Sequence, residues 1–109
     1  MNVFIFKPDG IKELMENIIT NEKLEKYFKI TGEALEQVKK NIAPKKIAEA
    51  KEIIDMVENY FSDAKYFEKQ GKIVLAFGAL NYAHGWLDAG ARLKIFTVKD
   101  SRLFTVDNK

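Results

Sequence analysis

The chain has 109 residues, no cysteine and a formal net charge of +2 that comes from interspersed charges of both signs. This length suffices for one domain with its own core, and the lack of cysteine excludes disulfides and thiolate metal sites. The balance of charge argues against nucleic-acid binding, and the most apolar stretch contains polar residues that are costly in lipid. The first residues lack the features of a secretory signal, so we expect a single cytoplasmic domain over residues 1–109, without membrane contact.

The N-terminal part combines a short apolar run with a long amphipathic helix. Asn2 to Phe6 is a run of β type that ends in turn residues. From Asn21 to Ile42, apolar residues recur at helical spacing, which predicts the first long helix. Residues 1–19 are an N-terminal extension in this interpretation. The predicted seam of the helix consists of Leu24, Phe28, Thr31, Leu35, Val38 and Ile42.

The second predicted helix runs from Pro44 to Gln70. Proline disfavours helical geometry in the residue before it and suits the first turn of a new helix. Two adjacent apolar seams follow, which predicts two neighbouring helices. One seam is Ile47, Ala50, Ile54, Val57, Phe61 and Ala64, and the other is Ile53, Met56, Tyr60 and Phe67.

The third predicted helix follows Gly71 directly, and so short a connection requires an antiparallel neighbour. Between Ile73 and Ala91 it has one charged residue, Asp88. A helix that is apolar on nearly all sides is normally covered on nearly all sides. One seam is Ile73, Phe77, Leu80, His84, Leu87 and Ala91, and the opposite line is Leu75, Tyr82, Trp86, Ala89 and Leu93.

Two further β-type runs follow the helices, Ile95 to Val98 and Arg102 to Val106, around a turn. With the N-terminal run, they either pair or cover the outer face of the third helix. The expected fold is therefore mainly α, an up-down-up three-helix bundle over residues 20–96. Short β-type segments lie at both ends, and residues 97–109 are a C-terminal extension.

Two segments also carry a family resemblance. YFSDAKYFEKQG and AFGALNYAHGWLDAGARL resemble the archaeal family labelled domain of unknown function 357, which shares a YF-x-DA segment, a glycine at the turn and a YAHGWLDAG-type third helix. The resemblance covers about residues 20–96. It implies a three-helix bundle with a left-handed twist, and it implies no activity, substrate or catalytic residue.

A polar strip on the third helix is made by Asn81, His84, Asp88 and Arg92. His84 is one turn from Asp88, and Asp88 is one turn from Arg92, so both pairs can interact. A histidine held by a carboxylate can act as a general base, but no cysteine or nearby serine offers a nucleophile. No catalytic residue is assigned. The structural interpretation is that His84 spends both ring nitrogens on internal hydrogen bonds.

Two other groups of polar residues resemble binding sites in composition. His84, Asp88 and Asp63 have the ligand types for a divalent ion, but with one histidine in the chain no metal is predicted. A basic cluster around Pro44 is interpreted as a solvated loop, since no glycine-rich phosphate-binding loop accompanies it. It consists of Lys39, Lys40, Lys45 and Lys46. No cofactor is predicted.

Two functions are compatible with these patterns. The first is an interaction or adaptor module that binds a protein partner, or a second copy, through the α-helical face made by Leu75, Tyr82, Trp86 and Leu93. The alternative is a ligand- or nucleotide-binding bundle that uses Asn81, His84, Asp88 and Arg92, joined by Tyr60 and Asp63. The position of His84 distinguishes them: an open cleft favours the second function, and enclosure by the bundle favours the first.

Overall fold

The computed structural model describes residues 18–105, which are mainly helical and contain no β-strand. The three helices are α1 (Asn21–Lys39), α2 (Ile47–Lys69) and α3 (Ile73–Arg92). The expected three-helix architecture is confirmed, and the N-terminal run of Asn2 to Phe6 lies outside the described residues. Within the described range, no helix has both the length and the apolar character needed to cross a membrane.

Helix α1 begins and ends with polar signals in its sequence. The Thr20 side chain caps it by accepting a hydrogen bond from the Lys23 amide at 3.1 Å. It ends at Lys39, before the predicted end at Ile42, where the Asn41 side chain donates to the Gln37 carbonyl at 2.7 Å. That bond satisfies a carbonyl in the last turn and lets the following backbone leave the helix.

Helices α2 and α3 are joined by the tight turn that the glycine predicts. Gly71 has a φ of +76°, where a side chain would be strained. Its amide donates to the Glu68 carbonyl and the Lys72 amide donates to the Phe67 carbonyl, which is the Schellman pattern. Along the two helices, Tyr60 contacts Tyr82 and Ile53 lies beside Gly90.

Helix α3 is the centre of the molecule, because it packs most extensively on α2 and next on α1, while α1 and α2 meet each other at few points. Its buried face is rich in small residues, which let a neighbouring helix approach closely. Ile73 and Phe77, which the predicted seam included, are only partly buried. The buried residues are Ala76, Ala79, Leu80, Ala83, Leu87, Gly90 and Ala91.

The chain turns back sharply after α3 and buries Phe96. Lys94 adopts a left-handed φ of 60°, and the amides of Ile95 and Phe96 both donate to the Gly90 carbonyl. The Phe96 ring, which is 1% exposed, then lies directly on Gly90. A Cβ atom at Gly90 would overlap this ring and would come within 3.2 Å of Ile53 Cδ1. The close approach therefore requires glycine.

The two predicted C-terminal β-type runs do not form strands within the described residues, and Val106 lies outside them. Their only ladder contact in this range is one antiparallel bridge between Ile42 and Phe96. It is flanked by bonds from the Ala43 amide to the Ile95 carbonyl and from the Thr97 amide to the Asn41 carbonyl. Apolar side chains further along the segment are buried against the helices, namely Val98, Leu103 and Phe104. Residues 97–105, which we call the C-terminal segment, thus contribute buried side chains to the core.

Candidate functional site

His84 projects from α3 towards α1 and the C-terminal segment, and both of its ring nitrogens are hydrogen-bonded. Nε2 is 2.6 Å from the Leu103 carbonyl, and Nδ1 is 3.1 Å from the hydroxyl of Thr31. Because a carbonyl can only accept, Nε2 carries a proton and donates to Leu103; in the neutral form of the ring, Nδ1 then accepts from the Thr31 hydroxyl. The Thr31 side chain is fully buried. This is the structural role that the sequence predicted for His84.

Asp88 holds the same C-terminal segment one turn further along α3. Its carboxylate accepts hydrogen bonds from the Thr105 amide at 2.8 Å and from the Thr105 hydroxyl at 3.3 Å. His84 Nε2 is 4.0 Å from Asp88 Oδ1, too far for a hydrogen bond. The possible ion pair between Asp88 and Arg92 is absent among the described residues. Two bonds from an ordered segment outweigh a surface ion pair, which typically contributes little.

The remaining predicted polar residues are not brought together with His84. Tyr60 and Asp63 line a groove between α2 and α3, whereas His84 and Asp88 line one formed with α1 and the C-terminal segment. Asn81 is exposed on the face of α3 between these grooves, and Arg92 is exposed near the end of the helix. Over residues 18–105, no three potential metal-ligating side chains of His, Asp or Glu cluster together.

The polar groups around His84 therefore have little capacity for chemistry. Both nitrogens of the ring are engaged, and neither Asp88 oxygen orients it. The partners of His84 and Asp88, namely Thr31, Leu103 and Thr105, are not among the site residues predicted from the sequence. One signal was present: Thr31 is the polar member of the first predicted seam and His84 is the polar member of the third. Two polar residues on facing apolar seams indicate a buried hydrogen-bonded pair.

The opposite side of α3 presents apolar side chains to solvent. Leu75 is 52% exposed, Tyr82 is 50% exposed and Leu93 is 68% exposed, while Trp86 is partly buried. The Tyr82 ring packs against Tyr60 at a centroid distance of 4.6 Å and edge-on against Trp86 at 6.3 Å. The C-terminal segment lies on the His84 side, so within the described residues it leaves these side chains uncovered.

Two shallow grooves follow this face and share Tyr82 as a common wall. The first has a volume of about 420 Å³ and is lined by Asn81, Tyr82, Gly85, Trp86 and Ala89. The second has a volume of about 520 Å³ and lies between α2 and α3, beside Phe67, Leu75 and Gly78. We call the surface made by Leu75, Gly78, Tyr82, Gly85, Trp86, Ala89 and Leu93 the outer face of α3.

The basic cluster near Pro44 is partly neutralised by carboxylates. Lys39 Nζ lies 2.8 Å from Glu58 and 3.5 Å from Glu36, and Lys46 Nζ lies 3.8 Å from Glu49. The hydrogen bond to Glu58 is the main cause of a raised pKa for Lys39. Pairing of this kind leaves less positive charge for a phosphate ligand, in agreement with a solvated loop.

Fold and site together define a small helical bundle whose interior polar residues secure its own C-terminal segment. The chain belongs to the family described as protein of unknown function (DUF357), whose family model matches residues 26–96. This confirms the family resemblance predicted from the YF-x-DA and YAHGWLDAG segments. Comparison with curated proteins and with solved structures gives no match. The family match ends at residue 96, so Leu103 and Thr105 lie outside it.

Proposed function

We propose that this protein is a non-enzymatic interaction module that binds another protein, either a partner or a second copy, through the outer face of α3. The observation that carries the proposal is the exposure of Leu75, Tyr82 and Leu93 on the helix that otherwise forms the core. Each half-exposed side chain offers roughly 100 Å² of apolar surface, which would contribute about 2.5 kcal/mol on burial. An apolar surface that follows a whole helix is typical of protein contacts.

In this proposal the three helices run up, down and up with a left-handed twist. The outer face of α3 then lies on one side of the bundle, where a partner can reach it. Contacts of Tyr27 with Phe77 and of Thr31 with His84 support a parallel course of α1 and α3. An opposite course of α2 is supported by the contact of Tyr60 with Tyr82 together with that of Ile53 with Gly90, since the α2 number falls as the α3 number rises.

The geometry does not support the ligand- or nucleotide-binding alternative. His84 borders a groove, but both of its ring nitrogens are engaged, by Thr31 of α1 and by the Leu103 carbonyl, and Asp88 is bonded to Thr105. Tyr60 and Asp63, the other candidates for that site, line a different groove. No convergent set of free polar groups is left at His84 for a ligand.

A matched pair of variants tests the interaction proposal. Leu75→Lys places a charge on the outer face of α3, and Ile47→Lys is the control, because Ile47 on α2 is also 52% exposed. Wild-type protein and both variants are immobilised, and an extract of the native cells is passed over each. Separately, each protein is sedimented at several concentrations. We expect association with the wild type and with Ile47→Lys that Leu75→Lys loses.

Two results would contradict the proposal. One is a wild-type protein that retains no extract protein and sediments as a monomer at every concentration. The other is equal association by all three proteins, which would place the contact away from the outer face of α3. Circular dichroism of the three proteins shows whether Leu75→Lys keeps its helices.

A further inference from the structure

We infer that the outer face of α3 binds a second copy of this chain, with the two α3 helices antiparallel about a two-fold axis that crosses the outer face at the level between residues 83 and 84. The inference rests on the proposed function and specifies its partner. In this arrangement Leu75 of one copy faces Leu93 of the other, Gly78 faces Ala89, and Tyr82 faces Gly85. The contact is isologous, which is the form that closed dimers take.

The first support is the spacing of the residues along the helix. Gly78 and Ala89 lie at equal distances on either side of the point between Ala83 and His84, and so do Tyr82 and Gly85. Leu75 and Leu93 are equally distant from that point to within one residue. Reversing the helix therefore brings the face onto itself, which a two-fold contact requires.

The second support is the pairing of large side chains with empty space. A Cβ atom added at Gly78 or at Gly85 would meet nothing within 4 Å, so the surface is open at both positions. In the antiparallel pair, the Tyr82 ring of one copy covers the open position at Gly85 of the other. Gly78 and Ala89, both small, face each other, which allows the helices to approach closely. The leucines close the contact at each end.

The third support is the charge of the surface. A two-fold contact brings a charge on the axis close to its own copy, so an isologous interface favours a neutral centre. Between Leu75 and Leu93 the charged side chains of α3 are Asp88 and Arg92, and Arg92 is exposed near the end of the helix, away from the proposed axis. Asp88, on the neighbouring side of the helix, is engaged by Thr105. The residues of the outer face nearest the axis, Tyr82 and Gly85, are uncharged, so a charged partner would find no complementary charge at the centre and two copies bring no like charges together on the axis.

The area of the surface agrees with a modest dimer. Helix α3 has 20 residues and is about 30 Å long, and a strip about 10 Å wide has an area of roughly 300 Å². The adjoining groove along α2 about doubles this, to roughly 600 Å² per copy. Stable complexes bury about 800 Å² per partner, so we expect a dissociation constant in the micromolar range.

Disulfide trapping tests the arrangement, because the native chain has no cysteine. Gly78→Cys and Ala89→Cys are made as separate full-length variants and mixed in a glutathione redox buffer, which keeps disulfide exchange reversible. We expect the mixed disulfide in about tenfold excess over either like pair. Gly78 of one copy would be about 16 Å from Gly78 of the other, beyond the limit of about 7 Å for a disulfide.

Self-association is measured separately, by sedimentation of the wild type at several concentrations, as in the test of the proposed function. Leu75→Lys is the disrupting variant. We expect Leu75→Lys to weaken self-association at least about tenfold, the equivalent of 1.4 kcal/mol. Three results would overturn the inference. In the disulfide experiment, an excess of like pairs would indicate parallel helices, and random pairing would indicate no defined contact. In sedimentation, a wild-type monomer at about millimolar concentration would exclude the dimer. If the monomer still retains an extract protein that Leu75→Lys loses, only the inference fails; if it retains none, the proposed function fails too.

Discussion

At the scale of single residues, Thr31 and His84 show how a polar pair fits into an apolar core. Thr31 is fully buried, and its hydroxyl and His84 Nδ1 satisfy each other at 3.1 Å. The type of each residue and its position on a seam could be read from the sequence. Their pairing could not, because it depends on the level at which α1 and α3 pack. The Leu103 carbonyl was beyond prediction, since a backbone acceptor has no signature in the sequence.

Removing the Thr31 hydroxyl tests how much this hydrogen bond contributes to the free energy of unfolding. Thr31→Val leaves His84 Nδ1 without its partner in a partly buried place, so we expect a loss of about 1–2 kcal/mol in the free energy of unfolding. In a His84→Leu background the same substitution should cost less, by about 1 kcal/mol. Urea denaturation of the four proteins measures this coupling. Strictly additive effects would show that the two residues do not interact. Thr97→Val, which removes an exposed hydroxyl that donates to the Asn41 carbonyl at 3.2 Å, is the control for loss of an exposed hydrogen bond.

A second residue-scale effect concerns two carboxylates that meet across α1 and α2. Partial desolvation, together with a hydrogen bond and repulsion from Glu25, raises the pKa of Glu68. A carboxyl whose pKa is raised by folding contributes stability at low pH, and this contribution is lost as the pH rises through its folded pKa. The pair should therefore destabilise the protein slightly at neutral pH.

Replacing one carboxylate tests this pH dependence. Glu25→Gln removes the like charge, and its amide can donate to Glu68, so we expect the variant to be more stable at pH 7 by about 0.3 kcal/mol. The advantage should shrink as the pH falls and Glu68 becomes protonated, because the like-charge repulsion is then lost. Thermal unfolding across this range provides the measurement, with exposed Glu52→Gln as the control for loss of one carboxylate. A gain that persists at low pH would contradict the explanation.

At the scale of elements, the helices could be predicted from apolar periodicity, and their ends less well. Helix α2 begins at Ile47 rather than at Pro44, and α1 ends at Lys39 because Ile42 pairs with Phe96. That bridge joins residues far apart in the chain, so no local sequence pattern predicts it. The two apolar runs after α3 were predicted to be of β type. Their apolar side chains are buried, but against the helices and not in a sheet, so the residues form an irregular segment.

The turn after α3 gives a matched prediction for two glycines of the same helix. Gly90→Ala places a methyl group against the Phe96 ring and Ile53, so we expect it to lower the free energy of unfolding by about 1–3 kcal/mol. Gly85→Ala meets nothing within 4 Å and should raise it by up to about 1 kcal/mol through helix propensity. Denaturant titration at low protein concentration compares them. Equal effects would contradict the close contact at Gly90.

At the scale of the whole molecule, the described C-terminal residues belong to the folded unit. Residues 97–109 are predicted as a C-terminal extension within the single domain, since the family resemblance ends before them. Leu103 and Phe104 of this extension are 4% and 3% exposed and pack in the same cluster as Leu35 and Leu87. The structure accounts for this through His84 and Asp88, whose partners on that segment could not be read from spacing alone.

Truncating one of these side chains should therefore affect the entire bundle. We expect Phe104→Ala to lower the free energy of unfolding by about 3 kcal/mol, while unfolding stays a single transition. Lys99→Ala, at an exposed position of the same segment, should have little effect. Helical circular dichroism during thermal unfolding is the measurement. An unchanged midpoint for Phe104→Ala would mean that the segment folds independently of the helices.

The central position of α3 also determines how the protein opens locally. Because α1 and α2 share few contacts, α1 can detach and leave α2 and α3 packed together, whereas loss of α3 would leave the other two with almost no common surface. Backbone amides of α1 should consequently exchange their hydrogens for deuterium earlier than those in the middle of α3, which open only when the molecule unfolds globally.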